Sequence, residues 1–143
     1  MEKIKAGIIG CGRISSVYKA AFENLRDEVE LVFAVDKELS RAEKLAAAFP
    51  GCGYSDKLED LLKQPLSVVH VLTPHFLHKE HGIACLEAGF HVLTEKPIAI
   101  TAEDADAMIR AGQTGAECLF FLDTVFVHND LNQPFPMGYS QFT

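Results

Sequence analysis

The sequence has few basic residues and no long apolar stretch. Of its 143 residues, 13 are Lys or Arg and 20 are Asp or Glu, so the formal net charge is −7, and the basic residues form no cluster. A chain with this balance is a poor partner for nucleic acid or for an anionic membrane surface. No apolar run approaches the roughly 18 residues that a membrane span requires. We therefore expect neither nucleic acid nor a membrane as a partner.

Closely spaced cysteines are also missing. Cys11, Cys52, Cys85 and Cys118 lie far apart and form no C-x-x-C motif. The N-terminus passes directly into an apolar segment without the pattern of a secretion signal, so we expect reduced thiols and a cytoplasmic location. Cys11 lies within a glycine-rich segment, and we interpret it as a small side chain that fits a turn rather than as a redox-active thiol.

The residues that are present predict one globular domain of the α/β class. Hydrophobic residues make up 48% of the chain, which is enough to bury a core. Apolar runs alternate with amphipathic stretches, which predicts a doubly wound parallel sheet (a Rossmann fold) of about six strands in the order 3-2-1-4-5-6, with helices on both faces. The predicted strands are residues 4–10, 31–36, 52–54, 67–72, 90–94 and 117–127. Residues 1–127 would form this domain, and residues 128–143 an irregular tail or a truncated connector.

Polar and glycine residues mark the predicted helix ends. Residues 40–43, Ser-Arg-Ala-Glu, have the pattern of a capping box at a helix start. Ser55 and Thr101 are predicted to cap two later helices. Gly89 suits the position after a helix end that favours left-handed backbone, and Gly115 is predicted to close the last helix.

The segment from Ile4 to Asp36 has the pattern of a dinucleotide-binding strand–helix–strand unit. Gly10 allows a sharp turn out of the first strand, and Gly12, which has no Cβ, allows the backbone to approach a pyrophosphate. A helix that begins near Arg13 would direct its N–H groups and its positive dipole end toward the phosphates. Asp36 ends the second strand, where its carboxylate can accept hydrogen bonds from the adenosine ribose.

The residues after the second strand bear on the choice between NAD and NADP. Asp36 favours NAD, because the 2′-phosphate of NADP would meet a carboxylate. Lys37 and Arg41 follow closely and could approach a phosphate, so NADP stays open. Ser15 replaces the third glycine of the pattern and is small enough for close packing of the helix on the strand.

Three motifs together resemble the Gfo/Idh/MocA family of NAD(P)-dependent oxidoreductases. They are the glycine turn at residues 10–15, Thr73-Pro74-His75-Phe76-Leu77-His78 and Glu95-Lys96-Pro97. Each stands at the C-terminal end of a predicted strand, where open α/β sheets bind ligands. The resemblance covers about residues 3–126. It implies hydride transfer between nicotinamide and a sugar- or polyol-like alcohol.

The resemblance also implies roles for individual residues. Lys96 would be the catalytic lysine, because an ammonium can stabilise a developing alkoxide and an amine can relay its proton. Glu95 would lie beside the nicotinamide and its ribose. Relatives usually carry Asn at the position of His75, which leaves that contact open. The implied cofactor-binding residues are Gly10, Gly12, Arg13, Ile14, Asp36, Lys37, Thr73, Pro74, His78, Glu95 and Lys96.

Histidines recur in the middle of the chain. His75, His78 and His81 follow a three-residue spacing that could suggest a metal site, but no Cys or carboxylate is placed to complete one and the family uses no metal. We therefore predict no metal site. His70, within an apolar strand, is interpreted as a hydrogen-bonded core histidine.

Full-length members of the family carry a second domain that binds the substrate and forms oligomer contacts, and no such pattern follows Val127. A sugar-like substrate is therefore expected only with a missing domain or a partner, and a homo-oligomer stays open. Two functions remain: the nucleotide-binding portion of a dehydrogenase, or a non-catalytic module that binds nicotinamide nucleotides. A domain for another adenine ligand, such as S-adenosylmethionine, is disfavoured by Glu95-Lys96-Pro97.

Overall fold

The structure is a computed structural model that describes residues 2–112, 118–122 and 125–127. Strands and helices alternate along most of this length, as the alternation of apolar and amphipathic segments predicts. The elements are β1 Ile4–Ile9, α1 Ser15–Asn24, β2 Val29–Val35, α2 Leu39–Ala46, β3 Gly53–Ser55, α3 Leu58–Leu62, β4 Val68–Val71, a 3₁₀ turn His75–Leu77, α4 His78–Glu87, β5 His91–Thr94, α5 Ala102–Gly112, β6 Cys118–Leu122 and β7 Val125–Val127.

The strands form one sheet in the order β3-β2-β1-β4-β5-β6-β7. The first six strands pair in parallel, which confirms the predicted order 3-2-1-4-5-6. The prediction of a single sixth strand over residues 117–127 is wrong. This run contains β6 and β7, which pair in antiparallel fashion. An apolar run by itself does not distinguish one long strand from two short strands that fold back on each other.

The core lies on both faces of the sheet. Neighbouring residues of one strand point to opposite faces, so Ile8 and Ile9 belong to different buried clusters. One cluster packs beneath α1 and α2 through residues such as Phe22 and Leu45. The other packs beneath α3, α4 and α5 through residues such as Met108. Helices therefore cover both faces, as predicted.

Several helix ends follow the predicted chemistry. The Thr101 hydroxyl accepts a hydrogen bond from the N–H of Asp104 at 3.1 Å, which confirms it as a cap. Gly89 follows α4 with φ of +86°, the left-handed conformation that favours glycine. The predicted cap at Ser55 is wrong: α3 begins after Lys57, which makes no side-chain capping bond, and the Ser55 hydroxyl accepts the N–H of Lys57 at 3.0 Å in the preceding turn. Gly115 and residues 128–143 lie outside the described residues.

The predicted capping box at residues 40–43 is wrong. Helix α2 begins at Leu39, and Glu38 at its N-cap position makes no side-chain capping bond. The N–H of Glu38 instead donates to Asp36 Oδ1 at 2.9 Å. Asp36 therefore binds the backbone just before α2. Residues 40–43 lie inside the helix and do not cap its start.

The C-terminal ends of β1, β2, β4 and β5 meet at one edge of the sheet, where the N–H of Glu95 after β5 donates to the Val71 carbonyl at 3.3 Å. The N–H of Gly10 donates to the Val35 carbonyl at 2.8 Å, and the N–H of Leu72 donates to the Ile9 carbonyl at 2.8 Å. Between β1 and β4 the order of the strands reverses, which is the place where open α/β sheets form a ligand crevice. In the described part of the chain, no helix combines the length and the apolar character that crossing a bilayer requires.

Candidate functional site

The glycine turn leaves β1 in a conformation that only glycine fits. Gly10 has φ of +95°, and a Cβ there would lie 2.8 Å from the carbonyl carbon and oxygen of Leu72. The turn is thus packed directly against the backbone that follows β4. Gly12 differs, because a Cβ there would meet no atom of the described residues within 4 Å. The space beside Gly12 is therefore open to a ligand that approaches the backbone.

Hydrogen bonds within the turn prepare the start of α1. The Ser15 hydroxyl donates to the Gly12 carbonyl at 2.6 Å, and the N–H of Ser15 donates to the same carbonyl at 3.1 Å. Helix α1 begins at Ser15, two residues later than the predicted start near Arg13. Ser15 stands at the position of the third glycine of the pattern. It is buried there, so its small side chain fits the close packing of α1 on the sheet.

Asp36 fastens the glycine turn to the end of β2. The N–H of Cys11 donates to Asp36 Oδ2 at 2.7 Å, while Oδ1 accepts the N–H of Glu38. Asp36 is only 8% exposed, and it lines the main cavity. Asp36 thus accepts hydrogen bonds from two backbone N–H groups. It also lies at the place where the sequence predicts the adenosine ribose.

Cys11 lies in this turn as a protected thiol. Its side chain is buried, and its Sγ lies 3.6 Å from the Val35 carbonyl. Burial is the main cause that raises the pKa of the Cys11 thiol to about 12, with Asp36 adding to the effect. Such a thiol carries almost no thiolate at neutral pH. This agrees with the interpretation of Cys11 as a small side chain that fits the turn.

A cavity of about 770 Å³ opens above the sheet edge. Its size lies within the range typical of sites for small molecules and cofactors. On one side the cavity is bounded by the glycine turn and the end of β2, and on the other by the residues after β4. Its wall contains Gly10, Gly12, Arg13, Ile14, Asp36, Lys37, Arg41, Thr73, Pro74, His75, Phe76 and His81, among others.

A second cavity of about 560 Å³ adjoins the first. Glu95, Lys96 and Pro97 form one wall of it, and Ile14, Leu72, Thr73 and His75 line both cavities. The fold thus brings together residues from the turns after β1, β2, β4 and β5. All of the predicted cofactor residues except His78 line one or both cavities.

His78 occupies a different place from the one predicted. Its side chain is fully buried and lines neither cavity, so it has no surface for a ligand to contact. Its Nδ1 lies 2.8 Å from the Pro97 carbonyl, and its Nε2 lies 2.8 Å from the Thr73 carbonyl. As a direct cofactor contact the prediction is corrected: the ring joins the loop after β4 to the loop that carries Lys96.

Thr73 is held from a second side. Its hydroxyl lies 3.1 Å from Nδ1 of His81, which is half-buried and lines the main cavity. Burial is the main cause that lowers the pKa of His81, Glu80 partly opposes this effect, and His78 adds a smaller lowering. A neutral His81 can act as donor or acceptor toward Thr73. The threonine is therefore fixed between two histidines, and only its outer surface remains for a ligand.

Glu95 is held by a residue that the sequence reasoning did not identify. The hydroxyl of Tyr18, on α1, donates to Glu95 Oε1 at 2.6 Å. The Tyr18 ring contacts His70 edge to face, with ring centroids 5.3 Å apart. The signal in the sequence was the spacing of Tyr18 and Phe22 on one helix face, which indicates packing on the sheet, but that spacing does not indicate the distant carboxylate.

His70 differs from its predicted description. Its Nδ1 is buried and has no hydrogen-bond partner among the described residues, so the prediction of a hydrogen-bonded core histidine is wrong at this nitrogen. Burial lowers the pKa of His70 to about 4. Its ring lies between Tyr18 and Phe22, with edge contacts to both. Aromatic packing thus takes the place of the expected hydrogen bond.

The middle histidines form no metal cluster in the described part of the chain. His75 and His78 contact each other edge to face, with ring centroids 5.6 Å apart. Among residues 2–112, 118–122 and 125–127, no group of three or more His, Cys, Asp or Glu side chains is arranged to hold a metal ion.

Comparisons with known proteins relate this geometry to one family. The model of the family named GFO_IDH_MocA, described as an oxidoreductase family with an NAD-binding Rossmann fold, matches residues 4–121. The scyllo-inositol 2-dehydrogenase (NADP(+)) IolW of Bacillus subtilis (strain 168) is 36% identical over 112 residues, which cover 78% of this chain and 30% of that protein. D-glucoside 3-dehydrogenase of Escherichia coli (strain K12) is 37% identical over 106 residues, or 73% of this chain and 30% of that protein.

A solved structure supports the same fold. The WlbA dehydrogenase from Bordetella pertussis, in complex with NADH and UDP-GlcNAcA, matches with a TM-score of 0.78 and 32% identity. The match covers 84% of this chain and 37% of that chain. The chain thus spans about a third of the length of the proteins that it matches.

Proposed function

The chain belongs to the Gfo/Idh/MocA oxidoreductase family, whose NAD-binding Rossmann fold it shares, and from this membership we propose that it forms the cofactor half of a dehydrogenase. The reaction would transfer a hydride between nicotinamide and a sugar- or polyol-like alcohol. The matched relatives include dehydrogenases of scyllo-inositol and of D-glucosides. This chain covers 30% of each of these two proteins, so its substrate would be recognised with the help of further polypeptide.

The observation that carries the proposal is the continuity of the two cavities. The larger one begins at Gly12 and Asp36, and the smaller one ends at Glu95 and Lys96, with Thr73 lining both. A dinucleotide needs such a site, with a phosphate-binding turn in the middle and a reactive end beside a proton-transfer group. The open space at Gly12 supports the fit, because a phosphate can approach the backbone there.

The residues would divide the work between holding and reacting. Gly10, Gly12, Arg13 and Ile14 would hold the phosphates, and Asp36 the adenosine ribose. The bound nicotinamide supplies the hydride acceptor. Lys96 would take up the proton of the alcohol and stabilise negative charge on its oxygen.

Cofactor selection is proposed to favour NAD over NADP. Support comes from Asp36, which has little exposed surface and stands at the end of β2 where a 2′-phosphate would approach. Arg41 is engaged with Glu38 at 2.9 Å, so one of the two candidate phosphate ligands already has an anionic partner. Lys37 lines the main cavity, where it could contact a 2′-phosphate. NADP is the cofactor named for the IolW relative, so NADP stays the alternative.

Calorimetric titration of the chain with NADH and NADPH tests this proposal. We expect both to bind, with a lower Kd for NADH. Asp36→Ala should weaken NADH binding about tenfold, because a charged hydrogen-bond acceptor is lost. NADPH should lose less, since removal of the carboxylate also removes its repulsion of the 2′-phosphate.

The control is Asp27→Ala, which removes an exposed carboxylate from the turn before β2. This variant should bind both cofactors as the unmodified chain does. Failure of the chain to bind either dinucleotide would contradict the proposed function. Equal losses of NADH and NADPH binding in Asp36→Ala would remove Asp36 from cofactor selection.

Location and assembly remain predictions. Cys11 and Cys52 are free thiols, which supports the proposed cytoplasmic location. A homo-oligomer also stays a prediction. The alternative function, a nucleotide-binding module without turnover, is distinguished by the Lys96 variant in the Discussion.

A further inference from the structure

We propose that Tyr18 is a positioning residue that fixes the Glu95 carboxylate in the second cavity and thereby determines how the nicotinamide end of the dinucleotide is held. This inference rests on the proposed function, because it concerns the same cofactor site. Tyr18 lines neither cavity, so it acts through Glu95 and not by touching the ligand.

The contact between Tyr18 and Glu95 joins two distant parts of the chain. The Tyr18 hydroxyl donates to Glu95 Oε1 at 2.6 Å, across a separation of 77 positions. A hydrogen bond from a phenol to a carboxylate is stronger than one between two neutral groups. The hydroxyl restrains the Glu95 side chain through Oε1, and Glu95 lines the second cavity.

The Tyr18 ring is itself held in place from the sheet side. It contacts His70 edge to face at 5.3 Å and 76°. Phe22 contacts the same histidine at 5.3 Å and 65°, and Phe22 is buried. A tyrosine side chain has only two torsion angles, so packing of its ring against His70 restricts the position of its hydroxyl. Helix α1 thus sets the carboxylate through a rigid support.

The Tyr18 hydroxyl is suited to hold a carboxylate and not to exchange protons with a substrate. Burial, followed by the hydrogen bond to Glu95, raises the pKa of Tyr18 above its usual value. The phenol therefore stays protonated at neutral pH and remains a donor. It faces Glu95 and not the cavity, so a role in proton transfer to the substrate has no geometric support.

This geometry predicts an effect confined to one end of the cofactor. Helix α1 starts at the glycine turn, so general damage to the helix would disturb the phosphate site as well. Loss of the hydroxyl alone releases Glu95 and leaves the turn at Gly12 intact. ADP contains the adenosine and phosphates but no nicotinamide, and it therefore reports on the glycine turn and Asp36 but not on the nicotinamide end.

The experiment compares Tyr18→Phe with the unmodified 143-residue chain by calorimetric titration with NADH and with ADP. We expect a Kd for NADH about fivefold higher in the variant, the effect of losing one positioning hydrogen bond, and an unchanged Kd for ADP. In a Glu95→Ala background, Tyr18→Phe should cause no further loss. Circular dichroism melting checks that each variant is folded.

Tyr54→Phe is the matched control. The Tyr54 hydroxyl also donates to a glutamate, Glu43, at 3.1 Å on an exposed surface, and Tyr54 lines neither cavity. This variant should bind NADH and ADP as the unmodified chain does.

Three results would overturn the inference: unchanged NADH binding by Tyr18→Phe, equal weakening of NADH and ADP, or a further loss in the Glu95→Ala background. If the unmodified chain bound neither ligand, the proposed function would fail, and the inference with it. Binding by the unmodified chain with no specific effect of Tyr18→Phe would overturn the inference alone.

Discussion

The two ends of the candidate site are built in different ways. The glycine turn (residues 10–15) is held by backbone conformation and by Asp36, which lies 25 positions after the Cys11 amide that it binds. The lysine loop (residues 95–97) is held by side chains from two helices, through Tyr18 of α1 at 77 positions from Glu95 and His78 of α4 at 19 positions from Pro97. One end depends on backbone conformation and on the end of β2, whereas the other depends on how α1 and α4 pack on the sheet.

This difference teaches that the two ends should respond differently to substitution. Changes in the glycine turn should act through sterics and phosphate binding. Changes around the lysine loop should act through chemistry or through support at a distance. Four substitutions, at Lys96, Gly10, Gly12 and His70, test this comparison.

Lys96→Ala should have the largest effect. We expect turnover to fall about 10³-fold, or ~4 kcal/mol of transition-state stabilisation, because a proton-transfer group is removed. The Kd for NADH should change less than about twofold, since most of the cofactor contacts lie elsewhere. Turnover is followed by NADH absorbance in the presence of the polypeptide that supplies the substrate site.

Lys63→Ala is its control, because Lys63 is an exposed lysine at the end of α3 that pairs with Asp60 of the same helix. It should turn over normally. Full activity of Lys96→Ala would end the catalytic assignment. A chain that binds NADH but shows no turnover with any such polypeptide would favour the non-catalytic module.

The next effect separates two glycines of the same turn. Gly10→Ala should lower the free energy of unfolding by about 3 kcal/mol, because its Cβ would collide with backbone at Leu72 and its φ is positive. Gly12→Ala should change stability by less than ~0.5 kcal/mol, because a Cβ there meets no described neighbour. It should nevertheless weaken NADH binding about tenfold by blocking approach to the backbone.

Denaturant unfolding and calorimetry measure the two quantities. Each glycine variant serves as the control for the other, since both add one methyl group to the same turn. If Gly12→Ala bound NADH normally, a phosphate would not approach the backbone at that residue. If Gly10→Ala were as stable as the parent, the tight contact with the end of β4 would not exist in solution.

The smallest effect concerns pH and the support under the lysine loop. Burial lowers the pKa of His70 to about 4 from 6.5, so below pH 6.5 the unfolded chain takes up a proton that the folded chain does not. Stability therefore falls as the pH decreases from 6.5 toward 4, by about 2 kcal/mol at pH 5 from this group. Denaturant unfolding at several pH values measures the slope.

His70→Phe keeps an aromatic ring between Tyr18 and Phe22 and removes the titrating group. It should lose this part of the acid sensitivity, whereas His91→Gln, which alters an exposed histidine on β5, should retain it. An unchanged pH slope in His70→Phe would show that His70 does not contribute to the acid sensitivity.

Most of the fold could be predicted from the sequence. The order of the first six strands and the helices on both faces follow from alternation of apolar and amphipathic segments, because that periodicity is a local property of the chain. The split of residues 117–127 into β6 and β7 could not be predicted, since both halves are apolar. The start of α2 was also predicted wrongly. The helix begins at Leu39, just after a backbone hydrogen bond from Glu38 to Asp36 Oδ1, and this bond cannot be recognised from the pattern of residues 40–43.

The site also contains residues that could be predicted from the sequence and residues that could not. Gly10, Gly12 and Asp36 could be placed at one edge from the glycine pattern, because backbone conformation and strand ends are encoded nearby. The burial of His78 and the contact between Tyr18 and Glu95 could not be predicted, because a side chain at a strand end or a helix start can point outward or inward. That direction depends on what packs against it.

The sequence by itself determined the class of fold, the edge at which the cavities lie and the turn that would receive phosphates. Each of these depends on periodicity or on backbone freedom, which short segments specify. The tertiary structure alone decided that His78 joins two loops, that His70 packs between aromatic rings and that Tyr18 holds Glu95. These contacts join residues up to 77 positions apart, and they exist only after the helices have packed on the sheet.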